Sequence, residues 1–323
     1  MKDLIKLLKI GTSKEYPKYG PYIHSTGKRL QTCNKNEFVD VEYEAPFVGD
    51  VKLAVLESLL ATADTIEFTN NNDGILTAEF NNTSMDLFID DIGFPALERP
   101  KLKTYLITEG CYTNIKIAAG FASSKGLFSH IFVNSQGVCA SDKKRVFITR
   151  FDTGIDEPLI LTPKIISILK PNDRIGLKDD YVVVEKDIGY VAFVGTPPSL
   201  YPIEKTLETM DIVKKNSEMV CSSETLVDGV KDISPVLTNE LNPLVSIVKD
   251  SVALVVRAES SGNGEAYTEL YSDSDAEFEL TLQAPLLKSI GNGFDVCIYD
   301  LKNKVDRLYI TDGEIEIVIM GVT

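Results

Sequence analysis

Apolar and polar positions alternate with period two along residues 181–185, 190–194, 252–257, 277–282 and 314–320, where branched apolar residues recur at every second place. Such alternation predicts strands with one buried face. Shorter strands are predicted at 105–108 and 218–222. Apolar stretches between the strands predict helices over 51–61, 162–169 and 283–290, and others over 112–124 and 224–237. Ser222-Ser223 before Glu224 offers an N-cap for the last of these, and Pro235 should disturb its end. Residues 1–10 set Leu4, Ile5, Leu7 and Leu8 against Lys2, Lys6 and Lys9, which predicts a short amphipathic helix with a basic face. Tyr16-Pro17-Lys18-Tyr19-Gly20-Pro21 breaks that helix. Hairpin turns are predicted at Asn72-Asp73-Gly74, Lys178-Asp179-Asp180 and Asp312-Gly313.

The same order of elements is written three times: a strand pair, an apolar helix and a second strand pair over residues 22–98, 131–205 and 244–323. The first two copies close alike, Phe94-Pro95-Ala96-Leu97-Glu98 answering Tyr201-Pro202-Ile203-Glu204. A period of roughly 110 residues is too long for a solenoid repeat and matches one small domain per copy. The expected fold class is α+β, with two helices on antiparallel sheets in each of three similar domains at residues 1–104, 105–211 and 212–323. The linkers at 98–103 and 209–216 are short and charged, which should hold the domains at fixed angles.

Composition adds exclusions. No apolar stretch approaches the roughly 20 residues that span a bilayer, and the start lacks a signal-peptide core, so a soluble cytoplasmic protein with no membrane partner is expected. Cys33, Cys111, Cys139, Cys221 and Cys297 are scattered, without a C-x-x-C pair, and should be plain reduced thiols. The formal charge of −15 and pI near 4.7 oppose nucleic-acid binding on average. Net charge is only a sum, and basic residues gathered on one surface could still hold DNA.

No catalytic constellation, metal site or cofactor motif emerges. His24 and His130 lie outside metal-like spacing and outside any nucleophile motif. The acidic groups Asp86, Asp90, Asp91 and Asp273, Asp275, Glu277 lack calcium-loop spacing and suit solvated faces. Gly262-Asn263-Gly264 does not connect a buried strand to a helix and is better taken as a turn. A binding or scaffolding protein is expected rather than an enzyme.

In this order of elements the chain resembles the bacterial-type DNA sliding clamp, the β subunit of the replicative polymerase. Val138-Cys139-Ala140-Ser141-Asp142-Lys143-Lys144-Arg145-Val146 is similar to the family's A-T-D-G-H-R-L segment, with Lys143 and Lys144 in place of Gly and His. Tyr201-Pro202-Ile203-Glu204-Lys205-Thr206-Leu207 is similar to F-P-D-Y-R-R-V, and Val318-Ile319-Met320-Gly321-Val322-Thr323 to a V-M-P-M-R-L-like tail without its Pro. The family's opening strand is missing, as would suit a divergent clamp of a phage or mobile element.

The resemblance implies a homodimeric ring around double-stranded DNA, with helices facing the bore and sheets outside. It implies a DNA polymerase and a clamp loader ATPase as partners, and a partner-peptide pocket lined by Val133, Ser141, Arg145, Val146, Pro202, Leu207, Ile317, Ile319 and Met320. A sliding ring should hold phosphate without base readout, through lysines on the helices. The candidates are Lys2, Lys6, Lys9, Lys52, Lys116, Lys125, Lys164, Lys170, Lys231 and Lys288. A repeated β-rich structural protein of a virion remains the alternative. It would share the repeats and lack a basic bore.

Overall fold

The computed structural model describes residues 2–62, 65–71, 74–95, 101–287, 290–300 and 305–322. Its helices are α1 (Lys2–Leu8), α2 (Leu53–Thr62), α3 (Glu109–Ala119), α4 (Pro163–Ile168), α5 (Ile203–Lys215), α6 (Ser223–Ile233) and α7 (Ala284–Leu287). The repeat recurs three times as expected, around α2, α4 and α7, but with four strands before the helix and three after it instead of a strand pair on each side. In every copy the four strands take the spatial order fourth, first, second, third, the Greek key, while the three that follow the helix form a meander.

Chain contacts divide the protein into two units, Met1–Glu109 with Ser167–Pro197, and Gly110–Ile166 with Pro198–Thr323. The first unit holds an eight-stranded antiparallel sheet in the order Val48–Lys52, Tyr22–Thr26, Arg29–Cys33, Glu37–Glu42, Gly189–Val194, Tyr181–Lys186, Arg174–Lys178, Tyr105–Leu106. It also holds a three-stranded sheet of Glu67–Asn71, Ile75–Phe80 and Thr83–Phe88. The second unit holds an eight-stranded antiparallel sheet in the order Leu159–Leu161, Ile131–Asn134, Gly137–Ser141, Arg145–Arg150, Ile315–Met320, Val305–Thr311, Asp295–Asp300, Ser217–Ser222. Its other sheet runs Gly264–Leu270, Leu254–Ser260, Leu244–Lys249, Phe278–Gln283.

Both large sheets are joined at the same place in the repeat. The third strand of one Greek key pairs with the last strand of the next repeat's meander, Val39 opposite Val191 in the first unit and Phe147 opposite Ile317 in the second. The strands equivalent to these in the two small sheets, Gly264–Leu270 and Thr83–Phe88, each have a single described neighbour. Among the described residues they are open edges, and exposed aromatic side chains mark them: Tyr267 is 73% and Phe88 76% exposed.

The alternating segments became strands, and Ser222 caps α6 by accepting a hydrogen bond from Thr225 N at 3.3 Å. Pro235 lies in the short 3-10 turn that follows, Ser234–Leu237. Asp179, at φ 52°, and Gly313, at φ 97°, occupy the hairpin turns. Asn72 and Asp73, the closing Ala96-Leu97-Glu98 and the start of the linker at 98–103 lie outside the described residues. The expected linker at 209–216 is overturned. Residues 209–215 are not a linker but the second half of α5, because Ile203, Leu207, Met210 and Val213 recur at helical spacing under a charged outer face. Residue 211, expected to end the second domain, lies within that helix.

Candidate functional site

Helix α5 lies against the large sheet of the second unit. Its C-terminal half is buried through Met210 and Val213, which pack with Phe132, Cys139, Ile148, Tyr309 and Val318. Its N-terminal half is not closed over. Ile203, Leu207, Leu127 and Val146 stay partly exposed where each packs against that cluster, which makes the start of α5 and the sheet under it a candidate apolar groove. Pro202 occupies the N-cap position with φ −78°, and its carbonyl accepts from the Thr206 hydroxyl at 2.8 Å. A cleft of ≈ 40 Å³ between Ile203 and Leu207 and the sheet side chains Phe132, Cys139, Ile148 and Arg150, with Gln136 from the adjoining turn, has room for about one water.

Strand register sorts the expected pocket residues by face. Ser141 pairs with Val146 and Val146 with Val318, so all three form one row on the α5 side, and Met320, 44% exposed, follows by alternation. Ile317 and Ile319 point the other way. With Val133 they are core residues, 3%, 0% and 0% exposed, and offer no surface to the groove. Period two forbids Ile319 and Met320 from sharing a face, so Met320 is the strand's exposed residue on the α5 side, with Val318 buried under it at 5%. Arg145 also leaves the groove. Its guanidinium sits 4.9 Å from the Phe121 ring centroid, donates to Gly120 O at 2.9 Å and bonds Asp142 Oδ2 at 2.9 Å. The structure thus gathers Ser141, Val146, Pro202, Leu207 and Met320 on the α5 side and separates the other four. Val318, Ile203 and Leu127 are additions. The first follows from Met320 by alternation and the second from Leu207 by helical spacing, whereas Leu127, on an irregular turn, had no sequence signal.

The turn at the groove's edge is tightly bonded. Ser141 Oγ donates to Arg145 O at 2.9 Å, while Asp142 Oδ1 accepts from Lys144 N at 2.9 Å and Arg145 N at 2.7 Å. Lys143 adopts φ 75°, a left-handed conformation that costs a non-glycine residue roughly 1–2 kcal/mol. Its Nζ lies 5.7 Å from the Phe128 ring centroid, and Phe128 packs edge-on against Tyr201. Lys144 Nζ donates to Gln283 Oε1 at 3.1 Å. Tyr201 stacks on Phe132, and its hydroxyl is buried beside Cys139. Burial first, and the neighbouring Cys139 second, push that phenol far above its usual range, so it stays protonated.

At the other end of α5 an ion network fixes the helix to the sheet. Glu316, fully buried, accepts from Lys214 Nζ at 2.7 Å, Arg150 Nε at 3.2 Å and the Tyr309 hydroxyl at 3.2 Å. Arg150 also reaches Asp211 at 3.0 Å.

Among the candidate DNA-contacting lysines, Lys6, Lys9, Lys52, Lys116, Lys125, Lys164, Lys170 and Lys231 are all exposed. Lys6, Lys116, Lys164 and Lys231 lie on α1, α3, α4 and α6, and Lys9 opens a short 3-10 turn. Lys52, Lys125 and Lys170 are not helical: the first ends the strand before α2, which starts at Leu53 rather than at 51, and the others follow α3 and α4 in the chain. Lys9 pairs with Glu57, and Lys231 with Asp228 at 2.8 Å, so both are partly neutralised. The side chain of Lys2 and the whole of Lys288 lie outside the described residues.

The cysteines are free and buried. Burial pushes Cys33, Cys111 and Cys297 up to about 11 and Cys139 and Cys221 up to about 12, which keeps them as unreactive thiols. Among the described residues no group of His, Cys, Asp or Glu is placed to share a metal ion, and no helix is long and apolar enough to cross a membrane.

No known family profile matches the sequence, and no curated protein matches it. Solved structures do. A DNA polymerase sliding clamp from Bacillus subtilis superposes with TM-score 0.76 at 12% identity, covering 100% of this chain and 97% of that one. The DNA polymerase III beta chain of Streptococcus pneumoniae gives 0.76 at 10% identity over 99% and 97%. A Helicobacter pylori beta clamp, solved bound to a DNA ligase peptide, gives 0.77 at 15% over 100% and 97%. From end to end, this chain has the α+β fold of the bacterial DNA polymerase III beta sliding clamps.

Proposed function

We propose that this protein is a DNA sliding clamp, a non-catalytic processivity factor that encircles duplex DNA in the cytoplasm and tethers a replicative polymerase. The observation that carries the proposal is the likeness in fold to bacterial sliding clamps over essentially the whole of both chains. The three repeats then act as three domains, the second joined to the third through α5 rather than ending at residue 211, and two chains supply six.

The repeated seam supports a head-to-tail dimer. Pairing one copy's Gly264–Leu270 edge with another copy's Thr83–Phe88 edge would make the Greek-key-to-meander joint a third time. It would also cover two open edges that otherwise invite aggregation. Such heterologous contacts form a ring when the rotation closes.

Exposed lysines from α1, α3, α4 and α6 and their flanking turns would face the DNA. They supply diffuse attraction to phosphate, which permits sliding because it carries no sequence information. The groove at Val146, Leu207, Val318 and Met320 would receive an extended peptide from a polymerase, a clamp loader ATPase or another client. Half-buried Val146 and Leu207 and exposed Met320, above the buried Val318, suit one or two anchoring side chains. The peptide complex of the Helicobacter pylori clamp supports this reading. Sedimentation at micromolar concentration tests the assembly: the expected mass is twice the 35.6 kDa of the chain. A monomer at every concentration, with and without DNA, would contradict the ring.

A further inference from the structure

Lys143 is held in a backbone conformation that glycine adopts freely and lysine does not, at the place where the resembled segment has Gly. Residues kept in such strained positions are concentrated at functional sites. The strain here places an ammonium at the edge of the groove, 5.7 Å from the Phe128 ring, which leads through Tyr201 into the apolar cluster under Leu207 and Val146. The nearest carboxylate in sequence does not neutralise it. Asp142 is occupied by the guanidinium of Arg145 and by the turn's own N–H groups. Among the described residues no carboxylate forms a salt bridge with Lys143, in a chain whose net charge is −15.

We propose that Lys143 is a specificity-determining residue that binds a carboxylate of the partner peptide, flanking the apolar anchor received by Leu207 and Val146. The preferred partner is therefore an acidic, apolar-anchored segment rather than a purely apolar one. This rests on the clamp reading of the groove. An ammonium over an aromatic face, beside a surface that the peptide itself would dry, forms a stronger charge-assisted bond than one in open solvent.

The test is selection from a random short-peptide library on the folded dimer, followed by affinity measurements on one selected peptide and its Asp/Glu→Asn/Gln counterpart. Wild type should enrich Asp or Glu beside Leu, Ile, Met or Phe and should prefer the acidic peptide by about tenfold. Lys143→Gly, which relieves the strained turn, should keep the apolar enrichment and lose the acidic preference, and Lys143→Arg should retain both. Absence of acidic enrichment in wild type, or an equal preference in Lys143→Gly, overturns the proposal. Selected peptides that bind Leu207→Asp as well as wild type would instead show that the groove reading has failed. If Lys143→Gly weakens retention on DNA and leaves peptide selection unchanged, the cation serves phosphate and the proposal is likewise overturned.

Discussion

Lys214 Nζ lies 2.7 Å from Glu316 Oε1, tying the last turn of α5 to a carboxylate buried in the sheet beneath it. Burial alone would raise the Glu316 pKa. The hydrogen bond from Lys214 and the positive charges of Arg150 and Lys214 outweigh it and hold the carboxyl below its ordinary 4.5. A depressed folded-state pKa means that the stabilisation is complete above the unfolded value and is lost as pH falls through the folded one. Glu316→Gln should cost about 1–3 kcal/mol at neutral pH, because Lys214 and Arg150 can rehydrate when the carboxylate goes. The melting-temperature gap between variant and wild type should narrow as pH drops below 4.5. A gap that stays constant into acid would contradict this role.

Val146 stands opposite Val318, facing the helix that bears Leu207, whereas Ile319 next in the chain is fully buried on the other side. Leu207→Asp should therefore abolish peptide binding, measured by fluorescence anisotropy, and leave the fold intact. Ile319→Ala should act through stability, costing about 2–5 kcal/mol in urea unfolding. Deleting residues 319–323 should likewise damage the sheet before it informs on binding.

Replacing Lys143 by Gly should stabilise the protein by about 1 kcal/mol, because glycine adopts the left-handed turn at φ 75° without steric cost. The denaturation midpoint should rise at an unchanged slope. A fall would show that the lysine side chain contributes more to the fold than its backbone costs.

Phe88 and Tyr267 are exposed on the two open edges. Phe88→Asp or Tyr267→Asp should give a folded monomer in sedimentation with unchanged circular dichroism. A dimer that survives both substitutions would mean that other strands form the interface.

The repeat was legible in sequence because each copy reuses one alternation of strand and helix. The Greek-key order inside each copy was not, since pairing order is set by contacts far apart in the chain. The groove was half legible: similarity of segments found Val146, Pro202 and Leu207, but segment matching does not register the face on which a strand residue points. Ile317 and Ile319 were thus grouped with Met320 although alternation separates them. Charge concealed α5, whose lysines and acids at 204–215 resemble a linker until the spacing of Leu207, Met210 and Val213 is counted. Arg145 was expected in the pocket from the resemblance of its segment, but it lies opposite Ile319 on the other face and is held there by Phe121, Gly120 and Asp142.

The most direct measurement compares retention on closed and opened DNA. The protein is assembled on a nicked circular duplex, freed of excess by gel filtration, and the circle is then cut at one site. A clamp should stay on the circle at salt concentrations that strip proteins held only by phosphate contacts, and should leave soon after cutting by sliding off the ends. Equal retention before and after cutting, or release by the same salt from both forms, would contradict a ring around DNA.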